Sequence, residues 1–197
     1  MATKQEDILR AAISVLAVQG FQHTKIRDIA KEAGVADGTI YLYFKNKDEL
    51  LVRLFEEVMG RVFNILNTAL ERVSTPAEKL QCFLRTHLHM VEEEPEVAQI
   101  ISVVLRQSTA FVKEYKNTLF TQYLGVLQNI LQEGVDEGVF HIEINPAVVS
   151  RALFGAVDEL ALAWLLSRQK IPLGDTSQVL SNMILHGILR EPEEEEK

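Results

Sequence analysis

Between residues 20 and 50 the sequence reads GFQHTKIRDIAKEAGVADGTIYLYFKNKDEL, and three residues within it leave few choices for the local fold. Ala30, Gly34 and Ile40 stand at i, i+4 and i+10. A small residue is needed where two short helices cross. A glycine is needed where the turn between them takes a left-handed backbone, and an apolar residue where the second helix is pinned down. Thr24 is placed to cap a helix reaching about Ala33, and a further short helix covers about Asp37 to Phe44. Each residue alone is common. Together they spell a helix-turn-helix, whose second helix lies in the major groove of DNA.

The rest of the chain also reads as helix, giving an all-α fold of about nine helices. Thr3 and Glu6 form a capping box ahead of a stripe of Ile8, Leu9, Ala12, Val15 and Leu16 that stops at Gly20. Asn46 and Glu49 form another, opening a long helix with Leu50, Leu54, Val58, Val62, Leu66 and Leu70 inward. Thr75-Pro76-Ala77-Glu78 starts the next helix, with proline at the first helical position. Pro95 marks another start, and Phe111 to about Glu137 is a long helix ending at Gly138. Asn145-Pro146 opens one to about Gln169, and Asp175 with Gln178 caps a last one ending near Arg190. Val139 to Ile144 is too short to found a sheet.

The expected organisation is a helix-turn-helix DNA-binding domain at 1–50, a helical effector-binding and dimerisation domain at 51–190, and a disordered acidic tail at 191–197. In the two helices of 146–190 the apolar residues cover more than one face, so more than one face must be buried. Leu153, Val157, Leu160, Ala161, Leu180, Met183, Ile184 and Ile188 are the candidates for a symmetric four-helix interface in a homodimer. Full burial inside a single chain would satisfy the same pattern.

The net charge of −8 over 197 residues argues against a DNA binder only until it is divided. Residues 1–55 hold eight Lys and Arg against seven Asp and Glu, a balance of +1, and the remainder carries −9. Phosphates respond to the local field, so a basic edge on an acidic protein suffices. The chain has no apolar run near the ~20 residues of a membrane helix, and its start lacks the apolar core of a signal peptide. No membrane association and a cytoplasmic, nucleoid-associated bacterial location are therefore expected. Cys82, the lone cysteine, excludes an internal disulfide and a cysteine-clustered zinc site.

Thr24, Arg27-Asp28-Ile29-Ala30, Ala33-Gly34-Val35, Gly38-Thr39-Ile40-Tyr41 and Tyr43-Phe44, with Lys47, Glu49 and Leu50, resemble the DNA-binding domain of the TetR family of bacterial one-component repressors. The all-helical remainder is similar to that family's ligand-binding and dimerisation domain. Gly34 to Phe44, Leu105-Arg106-Gln107-Ser108 and Phe154 to Glu159 further resemble the branch that represses fatty-acid degradation and leaves its palindromic operator on binding long-chain acyl-CoA. A drug-responsive regulator of an efflux pump, answering to a small hydrophobic effector, is the alternative. Many relatives carry Ser where this chain has Ala36, so Asp37 is left to cap the recognition helix.

Roles follow from position. Asp37, Gly38 and Thr39 come nearest the bases: Asp37 accepts from a cytosine amino group or serves as a cap, Gly38 removes bulk, and Thr39 offers a methyl and a hydroxyl. Tyr41 faces the groove and Tyr43 a phosphate; packing on the first helix is the competing role for both. Lys47 and Thr24 sit at helix starts, where they would clamp phosphates. Arg27 reaches a base edge or phosphate, and Lys25, with Lys45, tunes the field.

For the effector, Phe83, His87, Leu105, Phe120, Tyr123, Leu124, Phe154 and Trp164 recur on facing helices and would line a pocket, although each also suits plain core packing. Arg106, with Lys113 and Lys116, would form a basic portal for the phosphates of a CoA headgroup. Asp158 and Glu159 sit inside an apolar helix, facing the pocket or keying two subunits together. No cofactor, metal or catalytic residue is expected. None of the five histidines follows a glutamate by three residues, as a di-iron bundle requires, and neither a phosphate loop nor a nucleophile elbow is present. The reading is not an enzyme.

Overall fold

The computed structural model describes residues 3–104, 119–141, 143 and 145–188. Among them are nine α-helices, one π-helical turn and no strand. Two compact units emerge: the described residues of 1–62 with 93–121, and those of 63–92 with 122–197.

In the first unit α1 (Lys4–His23) opens with the expected box: Thr3 N–H donates to Glu6 Oε2 at 2.7 Å, and Glu6 N–H to Thr3 Oγ1 at 3.3 Å. The stripe from Ile8 to Leu16 is buried, and Gly20, with φ of 71°, breaks the helix before Phe21 tucks in. α2 (Ile26–Glu32) and α3 (Asp37–Tyr43) flank Gly34, whose φ of +65° is the left-handed turn that the spacing predicts. Ile29, Ala30 and Ile40 are fully buried, and Phe44 follows one turn after Ile40, so α3 is anchored along one edge. α4 (Lys47–Leu70) starts with Asn46 Oδ1 accepting from Glu49 N–H. Glu49 Oε2 in turn accepts from Lys45 N–H at 2.7 Å rather than from Asn46 N–H. α6 (Pro95–Gln99) runs into the π-helical turn Ile100–Val104, and both pack on α1.

The second unit is built from the end of α4, α5 (Pro76–Glu93), most of α7 (Leu119–Asp136), α8 (Pro146–Leu166) and α9 (Leu173–Ile188). Thr75 and Glu78 cap α5 reciprocally, and Asn145 Oδ1 accepts from Ala147 and Val148 at the start of α8. Gly138, with φ of 71°, ends α7, and the chain folds back to set the Phe140 ring over Gly134. A Cβ at Gly134 would stand 2.1 Å from that ring, so only glycine admits the return. α9 begins earlier than expected: Asp175 lies within its first turn rather than capping it.

The dimer candidates divide by burial. Leu153, Val157, Ala161, Leu180, Ile184 and Ile188 are buried within one chain, and Leu160 is half-buried. Of the eight, Met183 alone is exposed, at 67%. Both helices are apolar on two faces, and periodicity cannot say which face turns inward. The outward face of α8 carries Val148, Ala152, Gly155, Glu159, Ala163 and Leu166, all exposed at helical spacing. That of α9 carries Val179 and Met183.

Candidate nucleic-acid interface and effector site

α3 presents a row of exposed side chains because Ile40 and Phe44 commit its other edge to the core. Asp37, Gly38, Tyr41 and Tyr43 are exposed, and Thr39 is half-buried. Nothing lies within 4 Å of where a Gly38 Cβ would sit, so its backbone is open to a close approach from outside. Tyr41 is 56% exposed, which leaves the ring free for a groove rather than packed on α1. Leu42, two residues from Ile40, projects almost opposite the buried edge and is 81% exposed, an apolar side chain that the sequence reading did not place on this face. Asp37 is the first helical residue, and Ala36 at the cap position makes no side-chain bond, so the capping role expected of Asp37 is unfilled. Lys25 and Arg27 are exposed on the edge of α2, the latter 3.7 Å from Asp28, a pairing weak enough to yield to a phosphate.

Thr24 and Lys47 are placed otherwise than expected. Thr24 is 2% exposed, and its hydroxyl donates to Gly20 O at 2.8 Å, closing α1 instead of opening α2. The first turn of α2 is held by Asp28, which accepts from Lys25 N–H at 3.1 Å. Lys47 turns inward: its ammonium donates to Phe21 O at 2.5 Å and Thr24 O at 2.9 Å and lies 4.2 Å from the centre of the Phe21 ring. Partial burial lowers its pKa, against a smaller opposing pull from Asp48. These two residues knit α1 to α4 and are not set out as phosphate clamps.

In the second unit four helices bring rings together around Tyr123 of α7. Phe83 of α5 lies 5.1 Å away between centroids, His87 of α5 5.9 Å, and Phe154 of α8 and Phe63 of α4 both 6.2 Å. Phe63 escaped the sequence reading because it sits beside the inward stripe of α4 and not on it. His87 Nδ1 is 2.6 Å from the Tyr123 hydroxyl oxygen. Burial pushes His87 down to about 4, with Asp158 pulling the other way, and burial also raises the Tyr123 phenol above its usual value. At neutral pH both are therefore uncharged.

Leu124 is buried on the same helix, and Phe120 is half-buried one turn earlier. Trp164 is elsewhere: its indole N–H donates to Ile171 O at 2.9 Å, and the Lys170 ammonium lies 3.8 Å from the centre of its ring, so it shapes the α8–α9 connection. Leu105, Arg106, Lys113, Lys116 and the acidic tail lie outside the described residues. No group of His, Cys, Asp or Glu among the described residues is set to hold a metal ion. No described helix is long and apolar enough to cross a membrane.

A helix-turn-helix with an exposed edge, followed by a helical unit around an aromatic cluster, is the architecture of a DNA-binding regulator. The chain belongs to the TetR family of bacterial regulatory proteins. That family's N-terminal description matches residues 8–54, and "YsiA-like protein, C-terminal region" matches residues 55–187. A fatty acid metabolism regulator protein of Bacillus subtilis (strain 168) is 33% identical over 185 residues, covering 94% of this chain and 95% of the relative. The crystal structure of FadR from Bacillus subtilis in complex with stearoyl-CoA matches with a TM-score of 0.87 at 33% identity, covering 93% of this chain and 98% of that one. The fatty acid degradation regulator FadR from Bacillus halodurans matches at 0.88 and 32% identity, covering 95% and 97%. These relatives are regulators, and this chain is a DNA-binding transcriptional repressor of their kind rather than an enzyme.

Proposed function

We propose that this protein represses fatty-acid degradation genes and leaves a palindromic operator when long-chain acyl-CoA enters the second unit. The observation that carries the reading is the likeness, along nearly the whole chain, to a regulator solved with stearoyl-CoA. The ring cluster of Phe63, Phe83, Tyr123 and Phe154 supports it, being apolar enough for an acyl chain. The protein acts as a homodimer through the outward faces of α8 and α9. Small residues at Ala152, Gly155 and Ala163 let partner helices approach closely, and Val148, Leu166, Val179 and Met183 supply the apolar area.

Each reading helix α3 enters one half-site, the two half-sites lying about 34–36 Å apart. α4 carries both Phe63 and Lys47, so an acyl chain that displaces Phe63 tilts the helix on which the reading head is fastened. The ligand shifts the equilibrium only because it binds the DNA-incompetent form better.

Titrating palmitoyl-CoA into the protein bound to a palindromic duplex selected from a random pool tests both halves. Release at micromolar ligand is expected. A complex that persists at saturating ligand removes the effector reading, and equal binding to a scrambled duplex removes the operator reading.

A further inference from the structure

Tyr123 is 3% exposed and is surrounded by Phe63, Phe83 and Phe154. A phenol shut away from water must place its one proton on an acceptor, and His87 Nδ1 lies 2.6 Å away. Tyr123 therefore donates and Nδ1 accepts, which fixes the proton of the neutral imidazole on Nε2. If packing were the only requirement, Leu and Phe of similar shape would fill both positions with little change in stability. The pair instead presents one ring edge that can only donate, on a half-buried His87 whose charged neighbour is Asp158 of α8. A neutral acceptor suits that edge, because a second negative charge would be set beside Asp158.

We propose that His87, held in one tautomer by Tyr123, determines effector specificity by donating Nε2–H to the carbonyl oxygen of a long-chain acyl thioester. The inference rests on the acyl-CoA reading given above and adds to it the atom that is recognised. A free carboxylate would have to shed its water against a single neutral donor with Asp158 close by, a far larger cost than that of transferring a carbonyl. Tyr123 is a positioning residue here: it acts through His87 and does not itself touch the thioester.

Two ligands that differ by one oxygen test this on the wild-type protein. Palmitoyl-CoA and its thioether analogue S-hexadecyl-CoA have the same chain and headgroup, and calorimetric titration gives both dissociation constants. The thioester is expected to bind about tenfold tighter, the worth of one buried hydrogen bond. In the His87→Leu, Tyr123→Phe double variant, which leaves no orphaned hydroxyl, the two ligands should bind alike. Equal affinities in the wild type, or a preference that survives in the double variant, overturns the inference and leaves the acyl-CoA reading standing. Binding of neither ligand to the wild type overturns that reading and the inference with it. The wild-type comparison decides even if the variant does not fold.

Discussion

Lys47 begins a helix, where a positive charge opposes the macrodipole. It is nevertheless well placed, because its ammonium spans the carbonyls of Phe21 and Thr24 that α1 and the segment after it leave exposed. Lys47→Ala should therefore lower stability by about 1–3 kcal/mol in urea denaturation. It should leave the salt dependence of DNA binding unchanged, since no phosphate contact is lost; a salt slope lower by about one would restore the clamp. His87 makes a prediction of opposite chemistry. Its folded pKa of about 4 lies below the ordinary 6.5, so between those values the unfolded chain holds a proton that the native state refuses. Stability therefore falls as pH drops from 6.5 toward 4 and levels below that. The share due to His87 is on the order of 3 kcal/mol. Urea midpoints at pH 7 and pH 5 should converge in the His87→Leu, Tyr123→Phe variant relative to the wild type.

Helix by helix, the local rules carried far. The box at Thr3, the left-handed Gly34, the buried Ala30 and Ile40, and the cap at Asn145 stand where spacing alone places them. These features are local, decided within one turn of chain, and so are written in a few consecutive residues. α9 starts at Leu173, ahead of the box that Asp175 and Gln178 spell, because Leu173 is buried in the second unit. Gly134 shows the same limit: nothing in its helix requires glycine, and only the returning Phe140 ring does. Gly134→Ala should cost about 1–3 kcal/mol through overpacking, read as a lower melting temperature. A variant as stable as the parent would mean that the ring has an alternative seat.

For the assembled regulator the two faces of α8 and α9 have separable consequences. Met183→Glu, on the outward face, should shift the protein toward monomer in light scattering and weaken operator binding about tenfold or more, with the protomer still folded. Leu180→Ala, on the inward face, should instead destabilise the protomer by about 2–5 kcal/mol. The reverse pattern would return the interface to Leu180 and its neighbours. Tyr41→Ala belongs here too: under the proposed function it should weaken operator binding more than binding to random duplex, since an exposed uncharged ring is suited to bases rather than phosphates.

The helical class, the turn of the helix-turn-helix and the edge of α3 left exposed are settled by the order of residues, since each depends on contacts a turn or less apart. Tertiary packing alone chose which apolar face of α8 and α9 turns inward, drew Thr24 and Lys47 into the join between α1 and α4, and sent Trp164 to the α8–α9 connection. It also set His87 against Tyr123 across 36 residues of chain. Periodicity says that a face must be buried but not against what, and a long side chain goes where distant backbone offers it a partner.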